Sequence, residues 1–136
     1  MSIEENIAFG LKISGKSKAY IHDKVKYALK LVNLDGYENR LPDSLSGGQQ
    51  QRATIGRAIA NHPKVLIADE PTGNLDPQMS AEIMDLLEKI NEVEHATIVM
   101  VTHDSTIVDR FKKRTICLEE GYVIADIMKG GYLKHE

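Results

Sequence analysis

Apolar residues recur every three or four positions through the first third of the chain, with charged and amide side chains between them. Ile3, Ile7 and Leu11 predict a short amphipathic helix that ends before Gly15. A second helix is predicted over residues 17–32, with lysines on its outer face. Its inner face would carry Ile21, Val25, Ala28, Leu29 and Val32. Residues 33–43 are predicted to form a loop because they contain glycine and proline.

Beyond residue 45, helical patterns alternate with short apolar runs, which is typical of an α/β fold. Helices are predicted over 49–60, over 77–91 behind a cap at Asp76, and over 105–111. Strands are predicted over 65–69, 97–102, 114–119 and 122–125, with a turn at Glu120 and Gly121 between the last two. Because residues 65–68 are all apolar, we expect the first strand to be buried on both faces of a parallel sheet.

Two stretches carry residues suited to phosphate chemistry. The sequence Leu45-Ser46-Gly47-Gly48-Gln49 predicts a helix start that Ser46 caps and whose glycines leave the backbone amides accessible. Such amides lie at the positive end of the helix dipole and suit a phosphate. The strand over 65–69 would deliver two adjacent carboxylates, Asp69 and Glu70, to the carboxyl edge of the sheet. Each pattern alone is more often structural, so their combination with other motifs decides the function.

The composition narrows the class of protein. With 42% hydrophobic and 27% charged residues in 136, the chain is predicted to be a globular protein of one domain at most. A net charge of −3 argues against nucleic acid as a partner, since such proteins carry a basic excess. The single Cys117 excludes an internal disulfide, and no apolar run reaches the roughly 20 residues that span a bilayer. We therefore expect any membrane attachment to come through a partner.

Four motifs in sequence order resemble the ATP-binding cassette (ABC) family. Residues 45–49 match its signature motif, 65–70 its Walker B strand, 73–76 its D-loop, and His103 its switch histidine. The resemblance implies the fold of a P-loop NTPase and implies ATP and Mg²⁺ as cofactors. It also implies that Asp69 holds the metal, that Glu70 is the general base acting on water, and that His103 contacts the γ-phosphate.

In this family the signature binds the ATP of a partner copy, in a two-fold homodimer of nucleotide-binding domains. The resemblance therefore assigns cofactor binding across that interface to the residues of the signature helix start and to the D-loop aspartate. These residues are Ser46, Gly47, Gly48, Gln49 and Asp76.

Residues 10–17, Gly-Leu-Lys-Ile-Ser-Gly-Lys-Ser, fit the short pattern of a Walker A phosphate loop. A phosphate loop needs a strand before it, whereas residues 3–9 have a helical pattern. We predict a turn between two helices with Lys16 in solvent. On this interpretation the chain lacks Walker A, the P-loop strand and the N-terminal β-subdomain of a complete cassette, and we expect it to bind ATP weakly and to be inactive alone.

The predicted organisation has three parts. Residues 1–44 form a helical subdomain, 45–128 form the catalytic α/β core, and 129–136 form a loose tail. Residues 72–76 resemble the group that holds lipoprotein-release, macrolide-export and FtsE-type ATPases, and residues 113–123 and 130–132 resemble the FtsE type. That resemblance implies ATP hydrolysis in cell division at the cytoplasmic face of the membrane, with an FtsX-type, permease-like integral membrane subunit as partner. The alternatives are a non-catalytic interaction module and the ATPase of a lipoprotein or macrolide exporter.

Overall fold

The computed structural model of the protein describes residues 1–128. Two helices open the chain, α1 over Ile3–Ile13 and α2 over Lys18–Leu31. Ser2 caps α1 by accepting a hydrogen bond from the backbone N–H of Glu5, and Ser17 caps α2 in the same way through Tyr20. Both predicted helices are confirmed, and each buries most of the apolar face that the sequence pattern indicated, although Ile21 is only half-buried.

Five further elements complete the first part of the chain. A short 3-10 helix at Pro42–Ser44 lies at the end of the predicted loop and leads into α3 over Gly47–Ile59. Strand β1 covers Val65–Asp69, α4 covers Pro77–Glu94, and β2 covers Thr97–Val101. Helix α4 is three residues longer than predicted and ends at His95, whose left-handed backbone (φ 53°) stops the helix. The α/β alternation predicted from the sequence is confirmed.

Strands β1 and β2 pair in parallel, with Val65 opposite Thr97 and Asp69 opposite Val101. Because α4 connects them, they form a βαβ unit. The expectation that β1 is buried on both faces was wrong. Leu66 is 7% exposed, but Ile67 is 72% exposed. Successive side chains of a strand point to opposite faces, and within residues 1–128 only one face of this pair is covered.

The core of this part is mostly helical. Its largest fully buried side chains come from all four helices and from the segment that follows α2: Ile3, Ile7, Leu11, Leu29, Val32, Leu34, Ile59, Ile83 and Ile90. Gly56 of α3 faces this core, where a Cβ would lie in van der Waals contact, 3.4 Å from both Ile7 Cδ1 and Val32 Cγ2. The signature helix is therefore packed firmly on the two N-terminal helices.

The chain divides into two compact units, Met1–Val101 and a second that begins at Thr102. In the second unit, α5 covers Ser105–Phe111, and β3 (Thr115–Glu119) and β4 (Tyr122–Ile127) form an antiparallel hairpin. The turn between them uses Glu120 and Gly121, both with positive φ, as a tight hairpin requires. The helix and the hairpin are confirmed, whereas the tail predicted at 129–136 lies outside the described residues. The subdomain boundary between residues 44 and 45 stays a prediction.

Candidate functional site

The start of α3 has the capping geometry that the sequence predicted. Ser46 is extended (φ −66°, ψ 164°), and its hydroxyl accepts a hydrogen bond from the backbone N–H of Gln49 at 3.2 Å. In return, Gln49 Oε1 accepts the backbone N–H of Ser46 at 3.0 Å, which completes a capping box. Gln49 Nε2 also lies 3.4 Å from the Tyr37 hydroxyl. These bonds fix the direction in which the first turn of the helix presents its backbone.

The two signature glycines lie beside other side chains at ordinary contact distance, and they leave the backbone accessible. A Cβ on Gly47 would lie 3.4 Å from Leu75 Cδ2, and one on Gly48 would lie 3.5 Å from the side chain of Met79. Gly48 is buried and Gly47 is exposed. The first turn of α3 therefore packs against residues 75–79, which follow the Walker B strand, while the amides of a helix start still lack intrahelical acceptors.

The carboxylate pair lies at the carboxyl end of the parallel strands, as predicted. Asp69 is the last residue of β1 and is exposed. Glu70 adopts a left-handed backbone (φ 47°), which is uncommon for a residue other than glycine. Its N–H donates to the Val101 carbonyl at 2.8 Å, and its carbonyl accepts the N–H of Gly73 at 3.0 Å. The chain thus turns sharply directly after the strand, at the residue that carries the candidate base.

The D-loop aspartate caps the next helix. Asp76 Oδ1 accepts the backbone N–H of Met79 at 2.8 Å, and Pro77 occupies the first position of α4. This confirms the predicted cap. The carboxylate of Asp76 is thereby oriented within its own chain, and its role across a dimer interface stays a prediction.

Gln51, which the sequence analysis missed, connects the signature helix to the turn after Glu70. Gln51 Nε2 donates a hydrogen bond of 2.9 Å to the carbonyl of Pro71, the residue directly after Glu70. Gln51 lies four residues after Gly47 and therefore on the same face of α3, the face that packs against residues 71–79. Helical spacing could have indicated this face, but no local signal identifies Pro71 as the partner twenty residues away.

A family model described as ABC transporter matches residues 1–73, which is more than half of the chain. The chain belongs to the ABC transporter family. The match includes the signature helix and the Walker B strand, so the ABC fold and the recognition of the family from its motifs are both confirmed.

Individual ABC proteins agree with this assignment. The cell division ATP-binding protein FtsE of Mycobacterium tuberculosis is 49% identical over 131 residues, which cover 96% of this chain and 56% of that protein. The methionine import ATP-binding protein MetN of Erwinia pyrifoliae is 46% identical over 125 residues, which cover 92% of this chain and 38% of that protein. The chain thus spans little more than half the length of the FtsE relative.

A solved structure shares the fold. It is the dimer of an ATP-binding cassette in a post-hydrolysis state, bound to ADP and Pi. The TM-score is 0.78 at 37% identity, and the alignment covers 97% of this chain and 58% of that one. The two relatives are ATP-binding proteins by name, and the cassette binds ADP and Pi.

The predicted ABC switch histidine is the second residue of the second unit. His103 follows β2 and is exposed. The neighbouring Asp104 donates its N–H to Thr102 Oγ1 at 3.0 Å and caps α5 with its own carboxylate. Local hydrogen bonds therefore order the segment around His103. Its contact with a γ-phosphate stays a prediction.

Residues 10–17, which fit the Walker A pattern, form the end of α1 and a turn. Residues 10–13 complete α1, Gly15 is left-handed (φ 72°), and Ser17 caps α2. The amides of Ser14, Gly15 and Lys16 donate to carbonyls of α1 at 3.1 to 3.3 Å, so in this structure all three are already paired. Lys16 is exposed, with its Nζ 5.4 Å from the centre of the Tyr20 ring. The predicted turn between two helices is confirmed.

Asp69 and Glu70 could bind Mg²⁺ if the phosphates of a nucleotide supplied the other ligands. Within residues 1–128 no group of three or more His, Cys, Asp and Glu side chains is arranged to hold a metal. Mg²⁺ is commonly bound by one or two carboxylates together with the phosphates of a substrate. Exposed Asp69 beside Glu70 suits that mode of binding. Within the same residues, no helix has both the length and the apolar character needed to cross a bilayer.

Proposed function

We propose that the chain supplies the signature, the Walker B carboxylates and the D-loop of an ATP-hydrolysing ABC subunit that works in cell division. The similarity to FtsE over 96% of the chain supports this function. The observation that carries the proposal is the joining of the signature helix to the turn after Glu70, by the Gln51 hydrogen bond and by the packing of the signature glycines. This brings an anion-binding helix start and a carboxylate pair into one ordered body.

The roles of the residues follow from the chemistry of phosphoryl transfer to water, which consists mainly of positioning and of charge neutralisation. Mg-ATP, when bound, supplies the electrophilic γ-phosphate and the metal charge. Asp69 would hold the metal, through a water molecule, and Glu70 would orient or deprotonate the attacking water. The hydroxyl of Ser46 and the backbone N–H groups of Gly47 and Gly48 would donate to the nucleotide phosphate, favoured by the helix dipole.

The proposed assembly is a dimer in which each signature closes over the nucleotide of the other copy. The related dimeric cassette supports this arrangement. An FtsX-type integral membrane subunit is the proposed partner, and the inner face of the cell membrane is the proposed location. Gln49 and Asp76 would act at the interface between the two copies, and His103 would act at the γ-phosphate.

Three other functions are considered, and two of them have a specific observation in their favour. Methionine import is supported by the 46% identity to MetN, which is close to the identity to FtsE. A non-catalytic interaction module is supported by the turn at residues 14–16, whose amides are already used within α1. The third alternative, export of a lipoprotein or macrolide, has no specific observation in its favour.

Hydrolysis is tested with a chimera in which this chain replaces its matching segment in the Mycobacterium tuberculosis FtsE protein. We expect Mg-ATP hydrolysis by the purified chimera, and a loss of kcat of about 100-fold or more in Glu70→Gln, since general-base catalysis contributes about that much. Glu92→Gln is the matched control, because Glu92 is an exposed glutamate of α4. An inactive chimera that folds would favour the interaction module, and equal rates in the two variants would refute the role of Glu70.

The cellular process is tested by placing the same segment in two host proteins. One chimera replaces FtsE in Mycobacterium tuberculosis, where cell length is measured, and the other replaces MetN in Erwinia pyrifoliae, where growth on limiting methionine is measured. We expect the first chimera to support division and the second to fail. The reverse pattern would assign the chain to import.

A further inference from the structure

Three successive glutamines follow the signature glycines, and each holds a different part of the chain. Gln49 completes the capping box at Ser46. Gln50 Nε2 donates to the carbonyls of Pro42 and Leu45, at 2.9 and 3.4 Å, and so reaches back to the segment that enters the helix. The third glutamine, Gln51, reaches forward to Pro71. Of the three glutamines, Gln51 is the one that bonds to the residue next to the candidate base.

The acceptor of that bond is the carbonyl of Pro71, which lies one residue after Glu70 in the same turn. Pro71 is buried, and its nitrogen cannot donate because proline has no N–H. Since the backbone of Glu70 is left-handed, the shape of the turn contributes to the direction of its side chain. The backbone bond from Glu70 to Val101 holds the turn from the side of the strands, and the bond from Gly73 to Glu70 closes the turn itself. The Gln51 bond holds it from the side of the helix.

The same helix face carries the apolar contacts of the signature glycines. Leu75 lies where a Cβ of Gly47 would point, and Met79 lies where a Cβ of Gly48 would point. The hydrogen bond of Gln51 therefore adds a directional constraint to a contact that is otherwise apolar and non-directional. Movement at the signature would reach the turn after Glu70 through this constraint.

We propose that Gln51 is a positioning residue that holds the turn after Glu70 in place through the Pro71 carbonyl, and so ties the alignment of the base to the signature helix. The part of this inference that concerns hydrolysis rests on the proposed function. The geometric part does not, because it concerns only contacts within this chain.

The geometric part is tested by hydrogen exchange in the 136-residue chain. Gln51→Met keeps the length of the side chain and removes the donor. We expect the amides of Glu70 and Gly73 to exchange about three- to tenfold faster, which is the effect of losing one hydrogen bond. Gln50→Met is the matched control, since it removes a similar bond from the same helix turn without touching Pro71, and should leave both rates unchanged. Unchanged rates in Gln51→Met would overturn the proposal whether or not any ATP is hydrolysed.

The catalytic part is tested in the FtsE chimera. Gln51→Met should lower kcat about three- to tenfold, with KM for Mg-ATP unchanged within a factor of two, because the base and not the nucleotide is displaced. Gln51→Lys restores a nitrogen donor on an unbranched side chain and should recover part of kcat. Equal losses in Gln50→Met and Gln51→Met, or a rise in KM alone, would assign Gln51 a merely structural role. An inactive parent chimera would instead count against the proposed function and leave the exchange result to decide the geometry.

Discussion

A cluster of three side chains from separate elements predicts a measurable contribution to stability. Glu94, at the end of α4, accepts a hydrogen bond from the hydroxyl of Tyr27 on α2. The same carboxylate lies 2.8 Å from Nδ1 of His62, in the loop between α3 and β1. The Glu94 side chain is only 11% exposed, so it depends on these partners. Tyr27→Phe removes one of them and leaves the aromatic ring in place.

The expected loss of stability in Tyr27→Phe follows from the raised pKa of Tyr27. The hydrogen bond to Glu94, with desolvation adding to it, raises the pKa of Tyr27 from 10.0 to about 12. Without correction, that rise corresponds to ~2.7 kcal/mol of differential interaction. Because Tyr27 is 38% exposed, solvent screens the interaction. We therefore expect Tyr27→Phe to lower the free energy of unfolding by about 1 kcal/mol at pH 7.

The same cluster predicts how this difference depends on pH. Burial raises the pKa of Glu94, but the hydrogen bonds from Tyr27 and His62 outweigh burial, so its pKa lies below the ordinary value of 4.5. A lowered carboxylate pKa stabilises the folded state above pH 4.5, and this contribution is lost as the pH falls through the folded-state value. The raised pKa of Tyr27 stabilises the folded state below pH 10, and this contribution is lost as the pH rises toward 12.

Urea unfolding followed by circular dichroism measures this effect, with Tyr20→Phe as the control. Tyr20 lies on the same helix with the same 38% exposure, and within residues 1–128 its hydroxyl makes no hydrogen bond. We expect little change in Tyr20→Phe at any pH. Equal losses in the two variants, or a Tyr27 effect that persists unchanged at acid pH, would refute the assignment of the stability to the Glu94 cluster.

Two further changes test local interactions. Ser46→Ala removes the capping box of α3 and should lower the free energy of unfolding, measured by urea denaturation, by about 1 kcal/mol. Ser46→Gly should lower it by only a few tenths of a kcal/mol, and equal losses in the two variants would show that the cap is not responsible. In the hairpin, Arg114 forms a bidentate pair with Asp126, at 3.0 and 2.7 Å, and these hydrogen bonds hold the pKa of Asp126 below its ordinary value of 3.8. Arg114→Gln should return the pKa of Asp126 toward 3.8, which an NMR titration measures, and an unchanged pKa would contradict the pairing.

The elements that were predicted well from the sequence are those that local interactions determine. Ser17, Ser46, Asp76 and Asp104 each cap the helix that follows them, and each cap joins residues only two or three positions apart. The apolar face of each long helix is likewise set by residues within a few turns. These features could be recognised because the interacting residues lie within the same short stretch of sequence.

The features that could not be predicted join distant residues or depend on what covers a surface. Tyr27 and Glu94 are 67 positions apart, and no pattern around either of them indicates the other. The four apolar residues at the start of β1 show that burial on both faces is compatible with the sequence. Whether such burial occurs depends on elements packed from elsewhere, and Ile67 remains 72% exposed in the described chain.

The candidate base combines both cases. The position of Glu70 after an apolar strand is a local feature and was predicted correctly. Its left-handed backbone was not predicted, because glutamate has no intrinsic preference for that conformation. The conformation persists because the surrounding structure constrains it, through Val101 on the neighbouring strand and Gly73 in the turn. The direction of the Glu70 carboxylate therefore depends on contacts up to 31 positions away, between Glu70 and Val101, and a substitution remote in sequence can misalign it.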